Sequence, residues 1–212
     1  MSIGVLADTS ATAIGADALL TRVGALYHDV GKIRHRELFV ENWSAGDPHA
    51  AMMPADSARL IRRHVPDGVA LVAEYRLGEP VADFVREHHG TRWIEYFAHK
   101  AREAGLDCEP GDFQYPGPRP RSKETAILMI ADQVEAISRT MPHATADDYR
   151  NLVRDVVDRL RTEGQLDQAP LTLRDLDRIR ESIAGAVAGM HHRRIEYPPP
   201  VSPGALRDSP PK

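Results

Sequence analysis

A carboxylate stands in the middle of the most apolar stretch of this chain. Thr125 to about Thr140 carries Ile127, Leu128, Met129, Ile130, Val134 and Ile137 at helical spacing behind a capping Ser122. Asp132 falls four residues after Leu128 and three after Met129, on the face that should be buried. An ionised carboxylate taken into a core without a partner costs several kcal/mol or titrates to neutral. No lysine or arginine lies within a helical turn of it on the same face. The fold therefore has to bring a cation to this helix from elsewhere, and a metal ion would meet that need.

Helical spacing dominates the rest as well. Ile3 to Ile14 reads as a helix (Val5, Leu6, Thr9, Ala13) ended by Gly15, and Asp17 caps the next, which runs through Leu19, Leu20, Val23, Leu26 and Tyr27 to His28. From Ile33 to Met53 the period fails, and Trp43, Gly46 and Pro48 point to a long ordered loop of the kind that usually carries function. Ser57 to His64 is helical again, with His64 three and four residues after Ile61 and Leu60. Asp67-Gly68 breaks that helix, and Val69, Val72 and Ala73 begin another. In Pro80 to His89, Val81, Phe84 and Val85 put His88 on the apolar side; Trp93, Ile94 and Phe97 continue helically to about Ala104. Gly105 to Pro120, rich in proline and glycine, is an irregular excursion. Two amphipathic helices follow, Asp147 to about Thr162 and Leu173 to about Met190. Residues 198–212 hold six prolines and read as a disordered tail after a domain at 1–197. With no internal repeat and no convincing strand, the expected architecture is all-α, a helical bundle with a long proline-rich loop.

Bulk properties narrow the function. A chain of 212 residues suits one domain. Its 27 basic and 31 acidic residues leave a net −4, which gives no strong pull on nucleic acid or anionic lipid. A lone cysteine, Cys108, excludes an internal disulfide framework and fits a reducing compartment. No apolar run is long enough to span a membrane.

Six ligand-type side chains fall on apolar faces or at helix ends: His28, Asp29, His64, His88, His89 and Asp132. Singly, several have plainer explanations. His64 suits a satisfied core histidine, while Gly31 and Lys32 suit a helix C-terminus with a cation facing the dipole. Together they form a histidine–carboxylate set without thiolate, which suits Mn²⁺, Fe or Co²⁺ and admits Zn²⁺. More than four ligands argue for two ions sharing a carboxylate. His35, His99, His143, His191 and His192 read as surface or capping residues.

His28-Asp29 with Gly31-Lys32 resembles the signature of HD-domain phosphohydrolases. Three further segments narrow the likeness: FVREHHGT at 84–91, FQYPGPRPRSKETAILMIAD at 113–132 and DQAPLTLRDL at 167–176. From about Ile3 to Pro198 the chain resembles the cytoplasmic HD domain of the seven-transmembrane HD family, whose characterised members are PgpH-type cyclic di-AMP phosphodiesterases. The resemblance implies two divalent transition-metal ions, manganese or iron, with Asp29 bridging them. One would be held by Asp29, His64, His88 and His89. The other would have His28, Asp29, Asp132 and a further histidine just upstream of Ile3, ahead of Met1. The chain thus reads as a piece of a longer membrane protein, on the cytoplasmic face. At Asp47-Pro48-His49-Ala50 it departs from the family, which tends to carry an acidic residue after the histidine.

The activity implied is attack of a metal-activated water on cyclic di-AMP, giving linear pApA. The partner is then a small molecule and not a nucleic acid. Asp29 and Lys32 are the candidate catalytic residues, with Lys32 either a phosphate contact or a helix-end cation. Tyr115, Arg121 and Lys123 are candidate substrate contacts, or else part of a structural proline-rich lap. Two rivals remain. One is another HD phosphohydrolase, either a nucleotidase or a cyclic di-GMP phosphodiesterase; the latter reads Gly-Tyr-Pro, whereas this chain has Gln114-Tyr115-Pro116. The other is a cyclic-dinucleotide-sensing module without turnover.

Overall fold

The structure is a computed structural model describing residues 3–43, 46–107 and 109–191. Its helices are α1 (Ile3–Ile14), α2 (Ala18–Tyr27), α3 (Pro54–Arg62), α4 (His64–Glu74), α5 (Glu79–Glu87), α6 (Glu95–Glu103), α7 (Lys123–Ser138), α8 (Ala146–Thr162) and α9 (Leu173–His191). Short 3-10 segments fill Val30–Leu38, Val40–Asn42 and Pro110–Asp112. Among the described residues there is no strand beyond an isolated antiparallel bridge, Trp93 to Gln114. Nor is any helix there long and apolar enough to cross a membrane. Cys108 and the expected tail at 198–212 lie outside the described residues.

The apolar helix is the axis of the molecule. α7 packs on α1, α2, α5, α8 and α9, and Ile127, Leu128, Met129 and Ile130 are wholly buried. Each such side chain is worth about 2 kcal/mol of transfer free energy. Ser122 starts the helix through a reciprocal capping box with Thr125. Asp17 caps α2 by accepting from the Leu20 N–H, and its own N–H donates to Glu124 Oε1 at 3.0 Å, which joins the starts of α2 and α7. A second apolar cluster holds α3, α6, Phe113 and Tyr115 together.

Two sequence expectations are corrected. The helix break falls at Arg63 and not at Asp67-Gly68, both of which lie inside α4. Gly68 is needed there for close approach: a Cβ on it would meet Val85 Cγ1 at 2.7 Å and Gly31 N at 3.2 Å. Trp93 and Ile94 precede α6 and are not helical, Trp93 forming the isolated bridge and Ile94 the N-cap. Ile94 N donates to Phe113 O at 2.7 Å and Tyr115 N to Arg92 O at 2.9 Å, so pairing with the proline-rich loop replaces helical hydrogen bonding. In the expected loop from Ile33 to Met53, the described residues are held by 3-10 turns and by buried His49, whose Nε2 donates to Leu38 O at 2.9 Å.

Candidate metal centre

Three histidines share one local design. His28 is the C-cap of α2, His88 the C-cap of α5, and His64 follows Arg63, the C-cap of α3. Each ring donates Nδ1–H to a carbonyl three residues earlier, in the last turn of the preceding helix: His28 to Ala25 (2.9 Å), His64 to Ile61 (2.6 Å), His88 to Val85 (2.9 Å). A carbonyl only accepts, so Nδ1 carries the hydrogen and Nε2 is left to face inward.

These Nε2 atoms converge on Asp29. Its Oδ1 lies 3.5 Å from His64 Nε2 and 3.6 Å from His88 Nε2, and its Oδ2 lies 3.2 Å from His28 Nε2. Asp132 reaches in from α7, its Oδ1 3.7 Å from His28 Nε2. His89 completes the group. Asp29, His64, His88 and His89 each offer a ligand atom, all within 4.8 Å of one another. The structure thus brings all six sequence-predicted ligand residues into one place.

The donor set fits a cation. His64 Nε2 and His88 Nε2 are 3.2 Å apart, two lone pairs facing each other where both Nδ1 atoms hold the hydrogens. Asp29 Oδ1 is buried without a hydrogen-bond partner. A divalent ion relieves both conditions. His64, His88, His89 and Asp29 would hold one such ion, and His28, Asp29 and Asp132 present a second set.

Charge is divided unevenly. Burial opposes a proton on His28, but the Asp29 carboxylate and then Asp132 outweigh it and raise the ring from 6.5 to about 10. Burial and then His88 lower His64 to about 4, and burial with His88 and His64 holds His89 well below its ordinary value. In Asp29, burial favours the neutral acid, yet His28 and Lys32 hold the carboxyl well below its usual range. Two pH effects follow for the metal-free chain. The His28 contact stabilises fully below about 6.5 and is lost as pH rises through about 10; the Asp29 contribution is present above 3.8 and lost as pH falls below it. Metal binding through His28 must displace its proton, so that affinity should rise about tenfold per pH unit towards 10. Calorimetry in buffers of different ionisation enthalpy measures the released proton. Uptake that is flat in pH, with no proton released, would contradict the assignment.

The other predicted residues divide. Lys32 is at the centre: its Nζ lies 2.9 Å from Asp29 Oδ2 and 2.9 Å from Glu41 Oε1, above the Phe39 ring. Tyr115 is also there, but as wall and not as an open platform. It is buried and stacked on His89 at 4.1 Å and 22°. Arg121 and Lys123 are elsewhere engaged. Arg121 Nε donates to Glu87 Oε1 at 2.8 Å, and Lys123 Nζ to Asp175 Oδ2 at 3.1 Å. Both partners are buried carboxylates, from α5 and α9, that each gain a counter-charge from this loop. His49 stays outside the cluster and holds Leu38.

Sequence reasoning missed Glu87. Buried at 1% exposure, it accepts from Arg121 N (2.9 Å) and Thr125 Oγ1 (2.7 Å), tying the end of α5 to the start of α7. A carboxylate directly before His88-His89 was the available signal. Gln165 was missed too: its Oε1 accepts the Thr91 N–H at 3.0 Å and fixes the turn behind His89.

The sequence profile of the HD domain family matches residues 2–137. The chain belongs to the HD domain family. HD domains bind divalent metals, and this cluster could hold such an ion. This HD domain is 37% identical over 194 residues to the cyclic-di-AMP phosphodiesterase PgpH of Bacillus subtilis (strain 168), covering 91% of the chain and 27% of that relative. The crystal structure of the L. monocytogenes phosphodiesterase PgpH HD domain matches with a TM-score of 0.84 and 34% identity over 91% of each chain. The same domain in complex with cyclic-di-AMP matches at 0.86 and 34% identity, over 93% of this chain and 92% of that one. The chain spans 25% to 28% of the length of the curated relatives it matches.

Proposed function

We propose that this HD domain is a metal-dependent phosphodiesterase that opens cyclic di-AMP to the linear 5′-phosphorylated dinucleotide. The observation that carries the reading is the division of labour on Asp29. One oxygen faces His64 and His88 while the other faces His28, as a carboxylate shared by two cations requires. The relatives named as cyclic-di-AMP phosphodiesterases, and the matching domain with that ligand, supply the substrate.

Two divalent ions, manganese or iron, would supply Lewis acidity to a phosphate oxygen and a water of lowered pKa. The chain's own groups do the rest. The Nδ1–H bonds of His28, His64 and His88 fix ring orientation. Lys32 has three ammonium donors; Asp29 and Glu41 take two, and the third is available to a phosphate oxygen in a side chain that is 26% exposed. Attack of water on phosphorus breaks one P–O3′ bond, and the departing oxygen takes its proton from solvent.

The test is metal analysis of the purified chain, followed by incubation with cyclic di-AMP, cyclic di-GMP and a mononucleotide in Mn²⁺. The expected result is about two ions per chain and fastest opening of the adenine compound. Preferred cleavage of the guanine compound or the mononucleotide would indicate a different HD phosphohydrolase. Tight binding without cleavage would indicate a sensing module.

A further inference from the structure

Most cations around the centre are committed: Lys32 to Asp29 and Glu41, Arg121 to Glu87, Lys123 to Asp175. Arg92 differs. Its side chain is only 14% exposed, its Nε is buried without an acceptor, and the nearest carboxylate, Glu163, is 3.9 Å away. No side-chain hydrogen bond is formed by its guanidinium among the described residues. A buried guanidinium donor left without an acceptor, its one carboxylate neighbour too far to accept, is costly, and an anion removes the cost.

The backbone keeps Arg92 at the centre. Its N–H donates to His89 O at 3.2 Å, and its carbonyl accepts from Tyr115 N at 2.9 Å, whose ring stacks on His89. On the α7 side, Arg159 Nη2 donates to Gln133 Oε1 at 2.7 Å, and Gln133 directly follows Asp132. Gln133 Nε2 is a second buried donor without an acceptor. Burial, and then repulsion from Arg159, lower the Arg92 pKa, and the charge of Arg92 is felt at His89 and Asp132. Arg159 links the two: it repels Arg92 and donates to Gln133, and Glu95 and Glu163 are the acidic neighbours of the two guanidiniums.

We propose that Arg92, with Gln133 Nε2 and Arg159 beside it, seats the phosphate of the substrate that is not attacked. The inference rests on the cyclic-dinucleotide reading above. Such a substrate has two phosphodiesters; one meets the metal ligands, and the pair of unesterified oxygens on the other matches a guanidinium fork. The seat would distinguish a dinucleotide from a compound with a single phosphate.

Steady-state kinetics on cyclic di-AMP and on bis(p-nitrophenyl) phosphate, a single diester, test this in wild type, Arg92→Ala, Arg92→Lys and Glu163→Gln. Equilibrium binding of cyclic di-AMP is measured alongside. Arg92→Ala should raise KM for cyclic di-AMP about tenfold to a hundredfold, with kcat changed less. The preference for the cyclic dinucleotide over the single diester should fall at least about tenfold, and Arg92→Lys should recover part of it. Glu163→Gln should leave KM within about twofold. Equal losses on both substrates, or an unchanged KM in Arg92→Ala, would overturn the seat and leave Arg92 as a partner of Glu163. If wild type opens neither substrate, the phosphodiesterase reading fails. The binding arm still decides the seat, because Arg92→Ala must weaken cyclic di-AMP binding about tenfold or more. Should Arg92→Ala melt below the assay temperature, Arg92→Lys carries the same comparison.

Discussion

Asp29→Ala is expected to lower kcat/KM at least about a thousandfold, roughly 4 kcal/mol of transition-state stabilisation, and to reduce bound metal in the same sample. The side chain serves both halves of the centre, with Oδ1 towards His64 and His88 and Oδ2 towards His28 and Lys32. Removing it would take the proposed shared ligand from each half and leave Lys32 and His28 without their principal counter-charge. Asp29→Asn keeps the shape but not the charge, so it should fail nearly as badly. Metal content and turnover should fall together while the helical circular dichroism persists. A variant that keeps wild-type metal and rate would mean that the carboxylate is not shared.

Gly31→Ala should be the most damaging single methyl in the chain outside the ligands. A Cβ there would lie 1.9 Å from the His64 carbonyl oxygen, 2.5 Å from Gly68 N and 2.8 Å from His64 C. All three are backbone atoms, which have no rotamer in which to retreat. Either the turn carrying Asp29 or the start of α4 carrying His64 must move, and both belong to the cluster. The expected cost is about 3 kcal/mol, a fall in Tm of roughly 10 °C, together with weakened metal binding. Gly111, with nothing within 4 Å of a built Cβ, is the control, and Gly111→Ala should stay within about 0.5 kcal/mol. Equal melting of the two variants would refute the argument.

These two positions show what a linear reading reaches. Asp132 was visible because a charge in an apolar helix demands an explanation. His28, His64 and His88 were visible because helical spacing, or a helix end, placed each towards the apolar side. Ser122 and Asp17 were legible as caps from residue type alone. Contacts between distant segments were not. Gly68 reads as a helix breaker until Gly31, thirty-seven positions earlier, is found pressed against it. Arg121 and Lys123 read as cations beside a motif, and only the fold reveals that Glu87 and Asp175 already hold them. Trp93 has helical neighbours, but the strand-like partner that overrides them comes from the 113–115 segment.

The bonds from His28, His64 and His88 to Ala25, Ile61 and Val85 do double duty. Carbonyls in a final helical turn lose their usual main-chain partners four residues on, and here imidazole rings donate to them. The aim of each ring is consequently written into where its helix stops. The receptacle is machined by the main chain, and its cargo arrives to find it already shaped.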